Sequence, residues 1–347
     1  MALALFVSPA SFMRDTLDLA RMRRRDFFRA IAGLALALPF PMYAQQVFKR
    51  VPRVGALIGF AEHDPATQRD VAAFVTGLAD LGWVADRNIA IEFRYGAGNA
   101  AKNRALAKEL VSLKPDVIFV NSTSATAAVQ HETSTIPVVF ATVSDPVGSG
   151  FVASLARPGG NITGFVNVEG SIAGKWLGLL KEVAPTSRAV GLMYNPSTAT
   201  YFEYYLKPFE AAADAAGLEH FPLPVSSDVE IEQAFGTRKP GDGIVLMSDP
   251  FMTVNAALTN DKALQFRVPV VSGVSRSGSL ISYAPNTEDL FRRSAAYIDK
   301  ILRGTSTVDL PVQLPTKFDL VINMKTARAL GLAVPQTLIA EANDVIE

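Results

Sequence analysis

Short polar loops carrying hydroxyl, carboxylate and aromatic side chains directly follow several apolar runs of this chain. The densest is Asn121-Ser122-Thr123-Ser124-Ala125-Thr126. Hydroxyls and backbone N–H groups at a helix start make a site for an anionic group such as a carboxylate. Ser122 or Ser124 would serve equally as an ordinary helix cap. The loop Ala141-Thr142-Val143-Ser144-Asp145-Pro146 places a carboxylate at a strand end. Asp145 can pair with a ligand ammonium, accept from hydroxyls, or cap the next helix. Phe60 and Glu62, Asn195, and Asp249 sit in equivalent loops. Tyr201 and Phe251 offer aromatic faces, though core packing is the commoner fate of an aromatic beside an apolar strand. The expected site holds a small carboxylate-bearing ligand. Its carboxylate lies at residues 122–126, Asp145 is near its ammonium, and Tyr201 or Phe251 is near its side chain.

Other chemistries find less support. The chain has no cysteine, which excludes disulfides, thiolate metal sites and cysteine nucleophiles. Its three histidines, His63, His131 and His220, show no metal-ligand spacing, so no metal site is expected. No Gly-x-Ser-x-Gly elbow marks a hydrolase nucleophile. Gly148-Ser149-Gly150-Phe151-Val152-Ala153, with Glu169 further on, fits a dinucleotide fingerprint. It follows the fourth strand rather than the first, and Asp145-Pro146 intrudes before it. A tight strand-to-helix turn is what brings a helix start to pyrophosphate. The formal net charge is zero over 347 residues, whereas nucleic-acid binders usually carry a basic excess. No cofactor, no catalysis and no nucleic-acid partner are expected.

The elements that must position these loops alternate regularly. Residues 54–60 read as a buried parallel strand, and 65–81 as a helix with Val71, Phe74, Val75, Leu78 and Leu81 on one face. Strands at 89–95, 117–120 and 137–142 alternate with helices at 99–113 and 124–132. The rhythm restarts with strands at 189–194, 218–224, 243–247 and 268–272. Between them come helices at 201–216, from 231, and at 254–266. A long amphipathic helix over 287–303, a strand over 318–323 and a short helix over 326–330 complete the chain. This is an α/β pattern of two lobes, each a doubly wound, mainly parallel sheet. Ligands of such sheets sit beyond the strands' C-terminal ends. The tail is expected to cross between lobes, so that chain crossovers act as a hinge. The turn at residues 157–161 is expected to lead to the first crossover. Tyr283 is expected to line the cleft or to pack the hinge.

The N-terminus reads as an address. Arg23-Arg24-Arg25-Asp26-Phe27-Phe28-Arg29 precedes an apolar run over 30–40 and a plausible cut after Ala44. The Arg24-Arg25 pair resembles a twin-arginine export signal, and Met22 is a candidate true start. An uncleaved anchor shares the same flanks. Loss of residues 1–44 removes six Arg and three Asp, leaving 27 basic and 30 acidic residues.

Ser144-Asp145-Pro146-Val147-Gly148-Ser149-Gly150-Phe151-Val152 and Leu155-Ala156-Arg157-Pro158-Gly159-Gly160-Asn161-Ile162-Thr163-Gly164 resemble the signature block of the ABC transporter substrate-binding family. That family includes tryptophan- and tyrosine-type uptake proteins. The tail from Pro315-Thr316-Lys317-Phe318 through Ala329-Leu330-Gly331-Leu332 is similar to that family's C-terminus. Gly278-Ser279-Leu280-Ile281-Ser282-Tyr283 resembles its Gly-Gly-Leu-(Ile/Met)-Ser-Tyr segment, with Ser279 where a second glycine is usual. The resemblance implies a two-lobed type I periplasmic-binding-protein clamp. Its lobes are residues 51–163 plus 285–312, and 164–284 plus 313–347. It also implies a small-molecule ligand, an aromatic or other amino acid, and an ABC permease and ATPase as partners. A periplasmic monomer is expected; a ligand-sensing receptor built on the same clamp is the rival reading.

Overall fold

Strand β1 (Arg53–Ile58) is buried at five consecutive positions, the mark of a strand covered on both faces. The computed structural model describes residues 50–347, and the export signal read over residues 1–44 lies outside the described residues. Beside β1 run β2 (Ala90–Tyr95), β3 (Val117–Asn121), β4 (Val138–Val143) and β5 (Ile162–Val166). All pairings are parallel, in the order β2-β1-β3-β4-β5. Helices α1 (Pro65–Asp80), α2 (Ala100–Ser112) and α3 (Thr123–Glu132) connect them. Side chains alternate across a strand. Val54, Ala56 and Ile58 therefore enter one apolar cluster, while Leu57 enters another on the opposite face.

The second sheet follows the same logic. It contains β6 (Ala189–Tyr194), β7 (Glu219–Pro224), β8 (Asp242–Leu246), β9 (Val270–Ser272), β10 (Ile281–Pro285), β11 (Phe318–Asn323) and β12 (Asp344–Ile346). The spatial order is β12-β11-β10-β9-β8-β6-β7, parallel except for the β10–β11 pair. Val190 and Leu192 pack on one face and Met193 on the other. The helices are α4 (Ile172–Val183), α5 (Phe202–Ala215), α6 (Asp228–Gly236), α7 (Pro250–Val254), α8 (Ala256–Gln265), α9 (Thr287–Leu302), α10 (Met324–Leu330) and α11 (Gln336–Glu341).

The chain crosses between the sheets three times. It leaves the first sheet after Val166, and it returns after β10 to lay α9 against α1. It then departs again through Gln313, which forms a bridge with Phe165. Gly77 lets α9 approach: a Cβ there would lie 3.0 Å from the Arg292 carbonyl oxygen. No helix among the described residues is long and apolar enough to cross a membrane.

Several expectations need correction. The turn at residues 157–161 feeds β5 rather than the first crossover. The fully buried β5 and the helix α4 had not been read from the sequence. The helix expected over 254–266 is found as Ala256–Gln265, and a further short helix, capped by Asp249 and starting at Pro250, precedes it. The buried face of α1 is rotated: it runs through Asp70, Ala73, Phe74, Gly77 and Leu78, while Leu81 is exposed. Tyr283, on β10, does not line the cleft and packs against the second-lobe core. Its ring stacks on Phe318, and its carbonyl accepts from Trp176 Nε1 at 2.8 Å.

Candidate ligand-binding cleft

Strand-end loops of both sheets open on one cleft of about 560 Å³. Phe60 follows β1, Ser122 follows β3, and Thr142 stands near the end of β4. The first two turns of α1 supply Asp64, Thr67 and Asp70, and the start of α9 supplies Thr287. Asn167 lies in the first crossover. Across the cleft stand Tyr201 before α5, Ser248 and Asp249 before α7, and Val274 and Ser275 after β9.

The charged lining residues are Asp64, Asp70 and Asp249, and their situations differ. Asp64 caps α1: its Oδ2 accepts from Thr67 N at 2.8 Å and from Thr67 Oγ1 at 2.9 Å. Asp70 is 5% exposed, and its Oδ1 accepts from Thr287 Oγ1 at 2.7 Å. Burial pushes the Asp70 carboxyl up to about 7, against the opposing Thr287 bond; Glu288 and Asp64 add to the rise and Arg69 opposes it. Asp249 is 3% exposed but fully engaged within its lobe. Its Oδ1 accepts from Thr198 Oγ1 and Met252 N, both at 3.0 Å, and its Oδ2 from Asn195 N at 3.1 Å. Burial pushes the Asp249 carboxyl up to about 6 in spite of these donors.

The first-lobe wall also holds strained backbone. Thr142 has φ 53° and Ser122 φ 78°. A β-branched residue in the left-handed region is a steric outlier of the kind found at ligand clamps. Thr142 Oγ1 is buried and has no hydrogen-bond partner among the described residues. Tyr201 is buried, and its hydroxyl donates to the Ser248 carbonyl at 2.8 Å. Burial holds its phenol pKa well above the ordinary value. Tyr201 also borders an outer pocket of about 910 Å³ that includes Asp145, Phe151 and Tyr204.

Of the residues singled out in the sequence, the cleft gathers Phe60, Ser122, Thr142, Tyr201 and Asp249. The others lie elsewhere. Glu62 is exposed to solvent. Thr123 Oγ1 accepts from Ser144 N, and Thr126 Oγ1 donates to the Ser122 carbonyl. Ser124 Oγ accepts from Asn103 Nδ2 at 3.3 Å. Asp145 accepts from Gly148 N at 2.8 Å within its own loop. Asn195 Oδ1 accepts from Ser197 N and Thr198 N, and Phe251 packs on the second-lobe core. Asp70, Asn167 and Thr287 were missed. The polar Asp70 on the buried stripe of an amphipathic helix was the available signal. Gly148-Ser149-Gly150 lies in turns between β4 and β5 and opens no helix, so it lacks the helix start that pyrophosphate binding requires.

The lobes are tied across the cleft. Ser144 Oγ of the first lobe lies 2.8 Å from the Tyr205 hydroxyl of the second, while Asn167 of the crossover donates from Nδ2 to Ser248 Oγ at 3.0 Å. Gly98, after β2, approaches α7 so closely that a Cβ would lie 3.1 Å from the Pro250 carbonyl oxygen.

Residues 55–346 match a family model described as ABC transporter substrate binding protein. A tyrosine-binding protein of Clostridioides difficile is 26% identical over 278 residues, covering 78% of this chain and 79% of that protein. Among solved structures, an ABC domain in complex with L-Trp from Streptococcus pneumonia gives a TM-score of 0.78. It is 26% identical and covers 86% of this chain and 100% of that one. The ligand-free, open structure of a substrate binding protein with adhesive properties from Clostridium difficile gives 0.64. It is also 26% identical, over 86% of this chain and 99% of that one. At equal identity the likeness is greater to the complex than to the open form, in keeping with lobes tied across the cleft.

Proposed function

This chain belongs to the ABC transporter substrate binding protein family, and from that premise we propose that it captures an amino acid, aromatic by preference, and delivers it to an ABC permease and ATPase. Its fold is the two-lobed type I clamp, with two mainly parallel α/β lobes. The reading rests on one observation above all: a cleft lined from both sheets, with acid, hydroxyl and aromatic side chains converging in it. In this reading the ligand ammonium meets Asp70, its ring lies against Phe60 and Tyr201, and its carboxylate reaches the neutral donors at Ser122 and Thr142.

Closure supplies the mechanism. A ligand drives it only through contacts that differ between the open and closed states. Asp70 and Thr142 act from the first lobe, Tyr201 and Ser248 from the second. A ligand touching both sides therefore gains contacts when the cleft shuts, and the membrane partner recognises the shut form. The protein works as a periplasmic monomer, exported through its N-terminal segment by the twin-arginine route, and carries out no catalysis. The tyrosine-binding relative and the tryptophan complex support the aromatic preference.

A thermal-shift screen followed by titration calorimetry tests this. At one hundred times its dissociation constant, a native-state ligand adds about 2.7 kcal/mol of stability. L-tryptophan or L-tyrosine is expected to raise the unfolding midpoint. A shift with sugars or nucleosides alone would replace the ligand class.

A further inference from the structure

The charge lining the cleft is all of one sign. Asp64 and Asp249 are committed to helix caps, and Asp249 accepts from three donors of its own lobe. Asp70 is different. It is 5% exposed and borders the cavity, and its one hydrogen bond among the described residues comes from the neutral Thr287 hydroxyl. The adjacent Arg69 pairs instead with Glu288, 3.3 Å away on the surface. A buried carboxylate with a single neutral donor is unfavourable until a cation completes it. Thr142 Oγ1, buried without a partner on the same wall, is a second group left for a ligand.

An ammonium brings three donors and the opposite charge, and charge-assisted hydrogen bonds are about twice as strong as neutral ones. A ligand carboxylate entering the same space meets neutral donors at Ser122 and Thr142 under the field of three acids. Charges interact more strongly where water is excluded. We infer that the recognised group is a primary ammonium anchored by Asp70 and Thr287, and that the ligand's carboxylate is dispensable. Decarboxylated aromatic amines are therefore a ligand class of this protein, alongside the parent amino acids. The inference rests on reading the cleft as the ligand site.

Titration calorimetry on the whole protein with two matched sets tests it. One set is L-tryptophan, tryptamine and indole-3-propionate; the other is L-tyrosine, tyramine and 4-hydroxyphenylpropionate. In at least one set the amine is expected to bind within about threefold of its amino acid, or more tightly, and the acid at least about 30-fold more weakly. Asp70→Asn is expected to weaken the amine at least about 30-fold. Thr287→Val, which keeps the carboxylate but removes its donor, is expected to weaken it about fivefold. Amino acids or acids that bind while both amines fail would overturn the inference and leave the cleft reading intact. Amine binding untouched by Asp70→Asn, Thr287→Val and Tyr201→Ala would place the site elsewhere and overturn both. Binding of none of the six would also overturn both.

Discussion

Two buried aspartates line the cleft, one from each lobe, and they are satisfied in opposite ways. Asp249 in the second lobe has both oxygens occupied by Asn195 N, Thr198 Oγ1 and Met252 N. Asp70 in the first lobe has Thr287 Oγ1. Burial raises both carboxyls, to about 6 and about 7. The difference separates two roles that look alike in the sequence. Asp249 holds a loop and a helix start in place. Asp70 is left short of partners at the point where a ligand arrives.

The largest effect expected from breaking this contrast is on stability. Asp249→Ala removes the α7 cap and leaves Asn195 N and Thr198 Oγ1 unpaired in a buried site. The cost is about 3 kcal/mol, or about 6 °C in the unfolding midpoint by calorimetry. Asp70→Asn should leave the ligand-free midpoint unchanged or raise it, since burying a neutral amide is cheaper than burying a carboxylate. The affinity loss it brings, at least about 30-fold, corresponds to about 2 kcal/mol.

A smaller effect is expected at the interlobe tie. Tyr205→Phe removes the hydroxyl that reaches Ser144 Oγ and the Val168 carbonyl. A net loss of about 1 kcal/mol from the closed state predicts roughly fivefold weaker ligand binding. Small-angle scattering should show more of the open form without ligand.

The same contrast also predicts a pH dependence of stability. A carboxyl raised by folding binds its proton more tightly in the native state, so its contribution is fully present below the unfolded value near 3.8. That contribution is lost as pH rises through about 7 for Asp70 and about 6 for Asp249. Ligand-free stability should therefore decline across this window, and Asp70→Asn should flatten the upper part of the decline in melts between pH 5 and 8. Ammonium binding needs the ionised carboxylate, so affinity should rise with pH over the same range. Asp64, Glu288 and Arg69 act on that titration from α1 and α9.

The sequence made the strands legible where apolar runs were continuous. β1, β3 and β6 came out within a residue or two because burial on both faces leaves little else for such runs to do. β5 escaped notice because Gly159-Gly160-Asn161 before it reads as a turn, and α4 because its apolar residues had no expected strand ahead of it. Of the residues in loops at strand ends, Phe60, Ser122, Thr142, Tyr201 and Asp249 line the cleft. Asp70 and Thr287 were invisible to a reading of such loops because they lie on helices. They meet only where α9 returns from the second lobe to pack on α1, more than two hundred residues away in sequence. Asp145 and Ser124 do not line the cleft: Asp145 accepts from Gly148 N in its own loop, and Ser124 Oγ accepts from Asn103 Nδ2 of the neighbouring helix.

The most direct measurement is titration of wild type, Asp70→Asn and Asp249→Asn, side by side, with L-tryptophan and L-tyrosine. The contrast between the two aspartates predicts that Asp70→Asn loses at least about 30-fold in affinity with its unfolding midpoint intact. It predicts that Asp249→Asn loses stability first and, once folded, binds within about fivefold of wild type. The reverse pattern, with affinity lost at Asp249 and retained at Asp70, would contradict the account.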